Sequence, residues 1–357
     1  MEVIHHDKNQ FDWVGEKRMK VARYYGRDDI RLEEVPLPKI GPGEILVQVE
    51  ACGLCGSDLM EWYVEGKAPA VLGHEPVGVV VEAGKGVETF EVGDRVFVHH
   101  HVPCFTCHYC LRGNYTLCAT FKATHLDPGG FAEYVRVPAL NVERDVLKIP
   151  PQMSFDQATL IEPVGTCIRG IERAALQTGD TVIVIGAGVT GLIHMQLARL
   201  YGAGKVGITD FADFRLGMAR QLGADLVVNA RQDVLSALQA ANEGRKADVV
   251  IVTAGSIQAM KQGMDLAGGG ATVLLFAPSP PGVDLPISPH RLLFSEITIV
   301  SSYSCSPVET RQALKLIQLG RIQAQELITH RFDLAGVGKA MQLAKQAAES
   351  AKILITP

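Results

Sequence analysis

The stretch Thr181–Leu200 reads TVIVIGAGVTGLIHMQLARL and combines an apolar run with three closely spaced glycines. The run TVIVI is typical of a strand buried on both faces of a parallel sheet. The glycines follow in the spacing G-x-G-x-x-G, and a helical pattern begins directly after them. Strand, glycine turn and helix in this order predict a dinucleotide site, in which backbone N–H groups at the helix N-terminus hold a pyrophosphate. The predicted cofactor-binding residues of this turn are Gly186, Gly188, Val189, Thr190 and Gly191.

Two charged residues downstream of the turn bear on the choice of cofactor. Asp210 lies 19 residues after Gly191, at the end of the next apolar run. Its carboxylate is placed to accept hydrogen bonds from the adenosine ribose hydroxyls, and its charge would repel a 2′-phosphate. NAD is therefore favoured over NADP. Arg215 could accept such a phosphate, and we expect it to stack near the adenine instead.

Apolar runs alternate with helical patterns over the middle of the chain. This alternation predicts an α/β fold with a doubly wound parallel sheet covered by helices on both faces. The predicted strands are TVIVIG (181–186), KVGITD (205–210), DLVV (225–228), ADVVIVTA (247–254) and ATVLLF (271–276).

The residues before about 150 have a different pattern, with short β segments separated by Gly and Pro turns. They predict an antiparallel-rich β structure that could close into a barrel. Strands are expected at Lys20–Tyr25, Ile45–Glu50, Val77–Glu82 and Asp94–Val98. A helix is expected from Ser154, its N-cap, to Gln177, and the C-terminal part is expected to contain a strand at Glu296–Ser301 and helices at Glu309–Gly320 and Ala335–Ala348.

The composition limits the function classes. The length of 357 residues suggests two domains, and 47% hydrophobic with 20% charged residues excludes disorder of the whole chain. A net charge of −5 argues against a nucleic-acid partner. The longest apolar stretch, 181–200, is interrupted by glycines and polar residues, so no membrane span is expected. The first 18 residues lack the apolar segment of a secretory signal, which favours the cytoplasm, where clustered cysteines more often bind metal than pair as disulfides.

Four of the eight cysteines form a cluster with gaps of two, two and seven residues. Four thiolates can close a tetrahedral shell around Zn²⁺, and a closed shell is structural because it leaves no position for substrate. An iron–sulfur cluster is the main alternative, although the seven-residue gap fits ferredoxin spacings poorly. The predicted ligands are Cys104, Cys107, Cys110 and Cys118.

Three histidines, His99–His101, directly precede this cluster. Side chains on a strand alternate between its faces, so the three would not point to one place. Surface or interface packing is the favoured interpretation, and a metal role is the alternative. His108, inside the cluster, is expected to be exposed rather than a ligand.

A second, open metal site is predicted from residues that are far apart in the sequence. Cys55 and His74 are flanked by glycines, Glu75 follows His74, and Glu162 precedes Pro163. Thiolate, imidazole and carboxylate are zinc ligands, and three protein ligands plus water make a catalytic site. Packing of a lone Cys and a lone His in a core is the alternative. Pro163 is expected to hold Glu162 in an extended conformation at the opening of a helix.

Taken together these motifs resemble the zinc-containing medium-chain alcohol dehydrogenases, and within them the sorbitol and threonine dehydrogenase branch. The resemblance runs from about Met19 to the C-terminus and depends on CGLCGSD (52–58), GHEPVG (73–78), GDRV (93–96), the four-cysteine segment, GGFAEYV (129–135), IEP (161–163) and VIGAGVTG (184–191).

The resemblance implies a GroES-like β-rich catalytic domain that carries the zinc sites and a Rossmann NAD-binding domain, assembled as a homodimer or homotetramer. The implied division is an N-terminal extension over 1–18, the catalytic domain over 19–162 and 302–357, and the Rossmann domain over 163–301.

The resemblance also implies roles for individual residues. Cys55, His74 and a carboxylate hold a catalytic zinc, and either Glu75 or Glu162 completes the shell. Ser57 is the first proton acceptor from an alcohol, and Thr166 contacts the nicotinamide. The implied reaction oxidises a secondary alcohol, such as a polyol, sugar alcohol or cyclitol, to a ketone with hydride transfer to NAD⁺.

Four residues, in three departures, differ from the pattern of the relatives. Glu61 stands where the sorbitol enzymes look to have Tyr, Ser304 and Cys305 replace an Arg-Tyr pair, and Met60 replaces a relay His of many relatives. These substrate-pocket candidates leave the substrate open, and Glu61 favours one with hydroxyl or ammonium donors. An amino-alcohol dehydrogenase of the threonine type and a non-catalytic NAD/zinc redox sensor are the alternatives.

Overall fold

The computed structural model describes residues 17–357. The predicted N-terminal extension therefore lies, except for its last two residues, outside the described residues. Arg18 already belongs to the first strand. Within residues 17–357 no helix combines the length and the apolar character needed to cross a membrane.

The residues up to 150 form mainly antiparallel strands, as predicted, because short β-branched runs alternate with Gly and Pro turns. The strands are β1 (Arg18–Gly26), β2 (Asp29–Pro36), β3 (Ile45–Leu54), β4 (Ala70–Val71), β5 (Glu75–Ala83), β6 (Arg95–Val98), β7 (Tyr134–Val137) and β8 (Val146–Lys148). The helices between them are α1 (Glu61–Val64), α2 (His108–Leu111), α3 (Ala119–Ala123) and α4 (Ala139–Asp145).

A six-stranded sheet follows, in the order β11-β10-β9-β12-β13-β14, with every neighbouring pair parallel. This is the doubly wound order predicted from the apolar runs. The strands are β9 (Thr181–Ile185), β10 (Lys205–Asp210), β11 (Leu226–Asn229), β12 (Ala247–Val252), β13 (Ala267–Leu275) and β14 (Thr298–Ser301). The helices of this part are α5 (Phe155–Ala158), α6 (Ile161–Arg173), α7 (Val189–Leu200), α8 (Asp213–Gln221), α9 (Val234–Ala241), α10 (Ile257–Leu266) and α11 (Pro289–Phe294).

The single helix predicted from Ser154 to Gln177 is two helices, α5 and α6. Ser154 is the N-cap of α5, as predicted, and forms a capping box with Gln157. Glu162 lies in the first turn of α6, so the prediction of an extended conformation there was wrong. A proline is tolerated in the first helical turn because the N–H that it lacks has no partner within the helix.

The chain ends with α12 (Pro307–Gln318), β15 (Ile328–Asp333), α13 (Val337–Gln346) and β16 (Lys352–Thr356). Strand β16 pairs antiparallel with β3, and the sheet order is β15-β16-β3-β5-β6-β8 with β7 also on β3. Strands β1, β2 and β4 form a separate three-stranded sheet in the order β2-β1-β4. The C-terminal strands β15 and β16 thus join the sheet of β3 and β5, although the whole parallel sheet lies between them in the sequence. The exact domain boundaries remain a prediction.

Helix α6 packs between the two sheets. Its buried residues Val164 and Ile168 belong to the same core as Val77 and Phe97 of the first sheet and Val184 of the second. The N-terminal turn of α6 is therefore fixed by both parts of the molecule.

Two of the three consecutive histidines, His99 and His101, are buried and His100 is half-buried, so the prediction of surface or interface packing was wrong for His99 and His101. His99 is fully buried and His101 is 9% exposed. The ring of His100 lies 5.0 Å from that of His74 and 4.0 Å from that of His101. The alternation argument does not apply because β6 ends at Val98, one residue before the run.

Candidate functional site

The four clustered cysteines converge as the spacing predicts. Their sulfur atoms all lie within 4.8 Å of one another, and Cys104 Sγ is 3.9 Å from Cys110 Sγ. Two sulfurs on one tetrahedral zinc are separated by about 3.8 Å, so the separation of Cys104 and Cys110 matches that of two ligands of one ion. All eight cysteines are free.

Backbone amides around the cluster favour thiolates. The N–H groups of Thr106 and Cys107 donate to Cys104 Sγ at 3.4 and 3.3 Å, and the N–H of Cys104 donates to Cys118 Sγ at 3.4 Å. Hydrogen bonds from Thr106 lower the pKa of Cys104 to about 5. Because the thiolate is the form that binds metal, these contacts prepare the cluster for zinc. His108 is exposed, as predicted.

The second predicted metal site is formed where β3 ends and β5 begins. Gly53 pairs with Glu75 across these strands, which brings Cys55 next to His74. One ligand atom each of Cys55, His74 and Glu75 lies within 4.8 Å of the other two. Gly53 has no room for a side chain, since a Cβ there would lie 1.8 Å from Glu75 Oε2. Gly53 is thus required by close packing, and so is Gly73, where a Cβ would lie 2.6 Å from the ring of Phe131.

Asp58, to which sequence reasoning gave no role, orients the imidazole. Its Oδ1 lies 3.5 Å from His74 Nδ1, and its Oδ2 accepts a hydrogen bond from the N–H of Cys55 at 3.0 Å. Burial acts to raise the pKa of Asp58, but the neighbouring His74 outweighs it and the net pKa is lowered. An ionised carboxylate behind a metal-binding histidine fixes the ring orientation and the tautomer.

Glu75 is fully buried and forms an ion pair with Lys352, which is equally buried. Lys352 Nζ also donates to the carbonyl of Leu54 at 3.2 Å. Oε2 of Glu75 contacts Lys352 Nζ, whereas among the described residues Oε1 has no hydrogen-bond partner. A carboxylate with one free oxygen beside a thiolate and an imidazole fits a cation. Sequence reasoning missed Lys352, although a lysine at the head of the apolar run KILIT is the signal that could have found it.

Glu162, the other predicted carboxylate ligand, does not lie in this group. It is 5% exposed and its carboxylate clusters with His99 and Cys305. Ser57 lies in the turn after Cys55 and is half-buried. Thr166 lies on α6 and donates through Oγ1 to the carbonyl of Pro163 at 2.8 Å.

The glycine turn has the strand–turn–helix context that the sequence predicts. Gly186 has φ +101°, and a Cβ at Gly191 would lie 1.8 Å from the carbonyl oxygen of Gly186. Gly188, the N-cap of α7, has room for a side chain, because the only atom within 4 Å of a Cβ there would be Arg215 Nη1, at 3.9 Å. The space above Gly188 at the helix N-terminus fits a pyrophosphate. Val189 and Thr190 form the first turn of the helix.

Asp210 ends β10 beside this turn. Its carboxylate accepts hydrogen bonds from the N–H groups of Ala187 at 2.7 Å and Ala212 at 2.9 Å. Arg215 donates through Nε to the carbonyl of Ser350 at 2.8 Å and reaches Gly188. Arg215 Nη1 thus lies near the glycine turn, and its stacking near the adenine stays a prediction.

The three predicted substrate-pocket residues differ in pairing and burial. Glu61 is paired with Lys345 at 3.0 Å and with Arg27 at 3.4 Å. Ser304 is half-buried with φ +55°, and Cys305 is fully buried. Trp62, Tyr63 and Tyr303, which sequence reasoning did not single out, are large aromatic residues with 39–51% exposure.

Comparisons with known proteins match this arrangement. The family model of the alcohol dehydrogenase GroES-like domain matches residues 41–151, and that of the zinc-binding dehydrogenases matches residues 189–318. The L-threonine 3-dehydrogenase of Pyrococcus abyssi is 35% identical over 323 residues, covering 88% of this chain and 90% of that protein. The sorbitol dehydrogenase of Bacillus subtilis is 31% identical, covering 96% and 98%.

Solved structures show the same similarity. A zinc-binding dehydrogenase of Sinorhizobium meliloti bound to NADP has 32% identity and a TM-score of 0.85, covering 96% of this chain and 100% of that one. An alcohol dehydrogenase of Escherichia coli CFT073 complexed with NADH has 31% identity, the same TM-score and the same coverage.

Proposed function

The chain belongs to the zinc-containing medium-chain alcohol dehydrogenases, in their sorbitol and threonine dehydrogenase-like branch, and from this premise we propose that it oxidises a secondary alcohol to a ketone with NAD⁺ as the hydride acceptor. The proposed substrate is a polyol, a sugar alcohol or a cyclitol. The observation that carries the proposal is the convergence of Cys55, His74 and Glu75, whose ligand atoms lie within 4.8 Å of one another.

In this proposal Cys55, His74 and Glu75 hold the catalytic zinc. When bound, the ion supplies a Lewis acid that lowers the pKa of the substrate hydroxyl. Asp58 holds the imidazole of His74 in its metal-binding orientation, and Lys352 balances part of the negative charge of the site. Ser57, two residues after Cys55, takes up the proton of the substrate hydroxyl at Oγ as its own hydroxyl proton passes to solvent. Glu162 remains a candidate for the shell at another stage of the reaction.

The proposed cofactor is NAD. The N-terminus of α7 at Gly188, Val189 and Thr190 binds the pyrophosphate, to which Arg215 adds a positive charge. When bound, NAD⁺ supplies the carbon that accepts the hydride. The Asp210 carboxylate disfavours a 2′-phosphate, and Thr166 on α6 contacts the nicotinamide.

Alanine at two glycines of the turn should separate cofactor binding from folding. Gly188→Ala is expected to raise the Kd for NAD⁺ at least about tenfold, because its methyl group enters the phosphate space while the fold has room for it. Gly191→Ala is expected to lower the free energy of unfolding by more than about 3 kcal/mol, because its methyl group overlaps the carbonyl of Gly186. Calorimetric titration and thermal unfolding measure the two effects. Equal behaviour of the two variants would contradict the assignment.

A polyol is favoured over an amino alcohol by the charges near the site. Glu61, the carboxylate among the predicted pocket residues, already pairs with Lys345 and Arg27 and is therefore less available to the ammonium group of an amino alcohol. The exposed rings of Trp62, Tyr63 and Tyr303 offer apolar faces for the C–H groups of a sugar chain or ring. In this proposal Ser304 contacts the substrate on the same side as Tyr303, while Cys305 is too buried to contact the substrate.

A substrate screen tests the proposed function. Zinc-loaded protein is assayed with NAD⁺ against polyols, cyclitols, sugars, simple secondary alcohols and amino alcohols, and NADH formation is followed by absorbance. We expect kcat/KM for the best polyol or cyclitol to exceed that for L-threonine by at least about tenfold. A preference for L-threonine would favour the threonine-type alternative. No turnover of any alcohol or ketone at full zinc occupancy would favour a redox sensor.

A homodimer or homotetramer is proposed as the assembly. Strand β14 is the last strand of the parallel sheet, so one of its edges is unpaired within the described chain, and nearby Leu293 and Phe294 are more than 70% exposed. Molar mass from light scattering checks this. The proposed compartment is the cytoplasm, which agrees with eight free cysteines.

A further inference from the structure

The hydroxyl of Thr253, a residue that has no role in the proposed function, lies against the glycine turn. Thr253 follows β12 directly, and β12 pairs with β9, the strand that leads into the turn. Its Oγ1 is 3.0 Å from the carbonyl oxygen of Ile185 and 3.1 Å from that of Gly186. A Cβ at Gly186 would lie 2.6 Å from this hydroxyl oxygen, so the hydroxyl occupies the space that glycine leaves free.

The two carbonyls differ in the other hydrogen bonds that they accept. The carbonyl of Ile185 already accepts the backbone N–H of Thr253 at 2.9 Å. Among the described residues, no donor other than the Thr253 hydroxyl reaches the carbonyl of Gly186. Helix α7 packs closely against this oxygen, since a Cβ at Gly191 would lie 1.8 Å from it. Because a closely packed carbonyl without a donor is costly, the single hydroxyl proton of Thr253 is needed at Gly186.

The N–H of the same peptide is held as well. The peptide between Gly186 and Ala187 is trans, so its carbonyl and its N–H point in opposite directions. The N–H of Ala187 donates to Oδ2 of Asp210, the last residue of β10, at 2.7 Å. Because β9 lies between β10 and β12, side chains from both neighbouring strands hold this peptide. Its orientation is thus fixed by Thr253 on one side and by Asp210 on the other.

We propose that Thr253 is a positioning residue for the cofactor. Its hydroxyl holds the carbonyl of Gly186 toward β12, and this orientation directs the N–H groups that follow, at Gly188 and Val189, toward the pyrophosphate. Thr253 thereby strengthens cofactor binding through the turn and not through contact with the cofactor. The inference rests on the proposed NAD site and is independent of the proposed oxidation of an alcohol.

Ligand binding to Thr253→Val tests the inference. Valine has the shape of threonine but places a methyl group where the hydroxyl donates. The Kd values for NAD⁺ and for ADP-ribose, measured by calorimetric titration of the zinc-loaded protein, are each expected to rise about tenfold. The Kd for adenosine, which lacks the pyrophosphate and is measured by competition, should change less than about twofold. Thr253→Ser keeps the hydroxyl and should bind NAD⁺ and ADP-ribose within about twofold of wild type.

Thr209→Val is the matched control. Thr209 lies on β10 next to Asp210 and is fully buried, and its hydroxyl has no hydrogen-bond partner among the described residues. The same substitution therefore removes a hydroxyl that holds nothing in the turn. All three Kd values should stay within about twofold of wild type. Thermal unfolding establishes that each variant is folded.

Hydrogen exchange of the cofactor-free protein gives a readout that needs no ligand. The amide of Ala187 should exchange at least about fivefold faster in Thr253→Val than in wild type or Thr209→Val, because the carbonyl of its peptide is no longer held. An unchanged exchange rate would overturn the inference.

The binding data can overturn the inference in three further ways. Unchanged Kd values for NAD⁺ and ADP-ribose in Thr253→Val would show that the turn does not depend on the hydroxyl. A rise for NAD⁺ alone would show that Thr253 contacts the nicotinamide half, and an equal rise for adenosine would show a general loss of the site. A protein that binds NAD⁺ as expected but oxidises no alcohol would contradict the proposed function and leave this inference standing.

Discussion

Changing Cys55 to serine is expected to lower kcat/KM by about 10³-fold or more, with the fold retained. A Lewis acid at the substrate oxygen contributes several kcal/mol to catalysis, and each 1.36 kcal/mol is a factor of ten in rate. The serine hydroxyl keeps its proton at neutral pH and cannot replace the thiolate as a ligand. Zinc content should fall by about one ion per chain, which links the lost activity to the lost ion.

Cys52→Ala is the matched control for Cys55→Ser. Cys52 lies on β3, three residues before Cys55, its thiol is fully buried, and it belongs to no metal group among the described residues. Its loss removes packing only, so kcat/KM and zinc content should match those of wild type. Circular dichroism and thermal unfolding establish that both variants are folded. Near-wild-type turnover of Cys55→Ser would remove Cys55 from the catalytic site.

The parts of the fold that follow from local sequence could be predicted. Continuous apolar runs predict the parallel sheet. The G-x-G-x-x-G spacing predicts the glycine turn, in which Gly186 has φ +101° and Gly191 lies too close to Gly186 to carry a side chain. The four-cysteine cluster could be predicted because short gaps let one loop present all four sulfurs. In each case the residues that decide the structure are neighbours in the sequence.

Contacts between distant segments could not be predicted in the same way. Lys352 reaches Glu75 only because β16 pairs with β3, and no local pattern of either segment specifies that pairing. His99 was assigned to the surface because a period of two was applied to residues that follow the end of β6. The cluster of His99 with Glu162 and Cys305 likewise depends on the tertiary fold.

Changing Cys107 to serine is expected to affect stability rather than catalysis. Zinc bound to such sites in small peptides contributes about 10–16 kcal/mol, and three remaining thiolates bind it far more weakly. The segment around the cluster, residues 104–121, is called the lobe here. Apart from the zinc it has little to stabilise it, since its own buried core consists of Cys110, Cys118 and Phe121. We expect a loss of about one zinc ion per chain and a fall in Tm of about 10 °C.

The control for Cys107→Ser is His108→Ala. His108 is exposed and lies next to Cys107 in the same loop, so its removal should leave the zinc content unchanged and Tm within about 1 °C. A Cys107→Ser protein with the zinc content and Tm of wild type would contradict the structural role of the cluster.

The loss of the structural zinc should remain confined to the lobe. Two hydrogen bonds close the lobe at its base, from His101 Nδ1 to the carbonyl of Thr124 at 2.6 Å and from the N–H of Val102 to Thr124 Oγ1 at 3.0 Å. Because both lie outside the four-cysteine segment, they can persist when the zinc is lost. Limited proteolysis of Cys107→Ser should therefore cut within residues 104–118 first. The kcat/KM of the folded protein should fall less than about tenfold, since the closed shell offers no position to substrate.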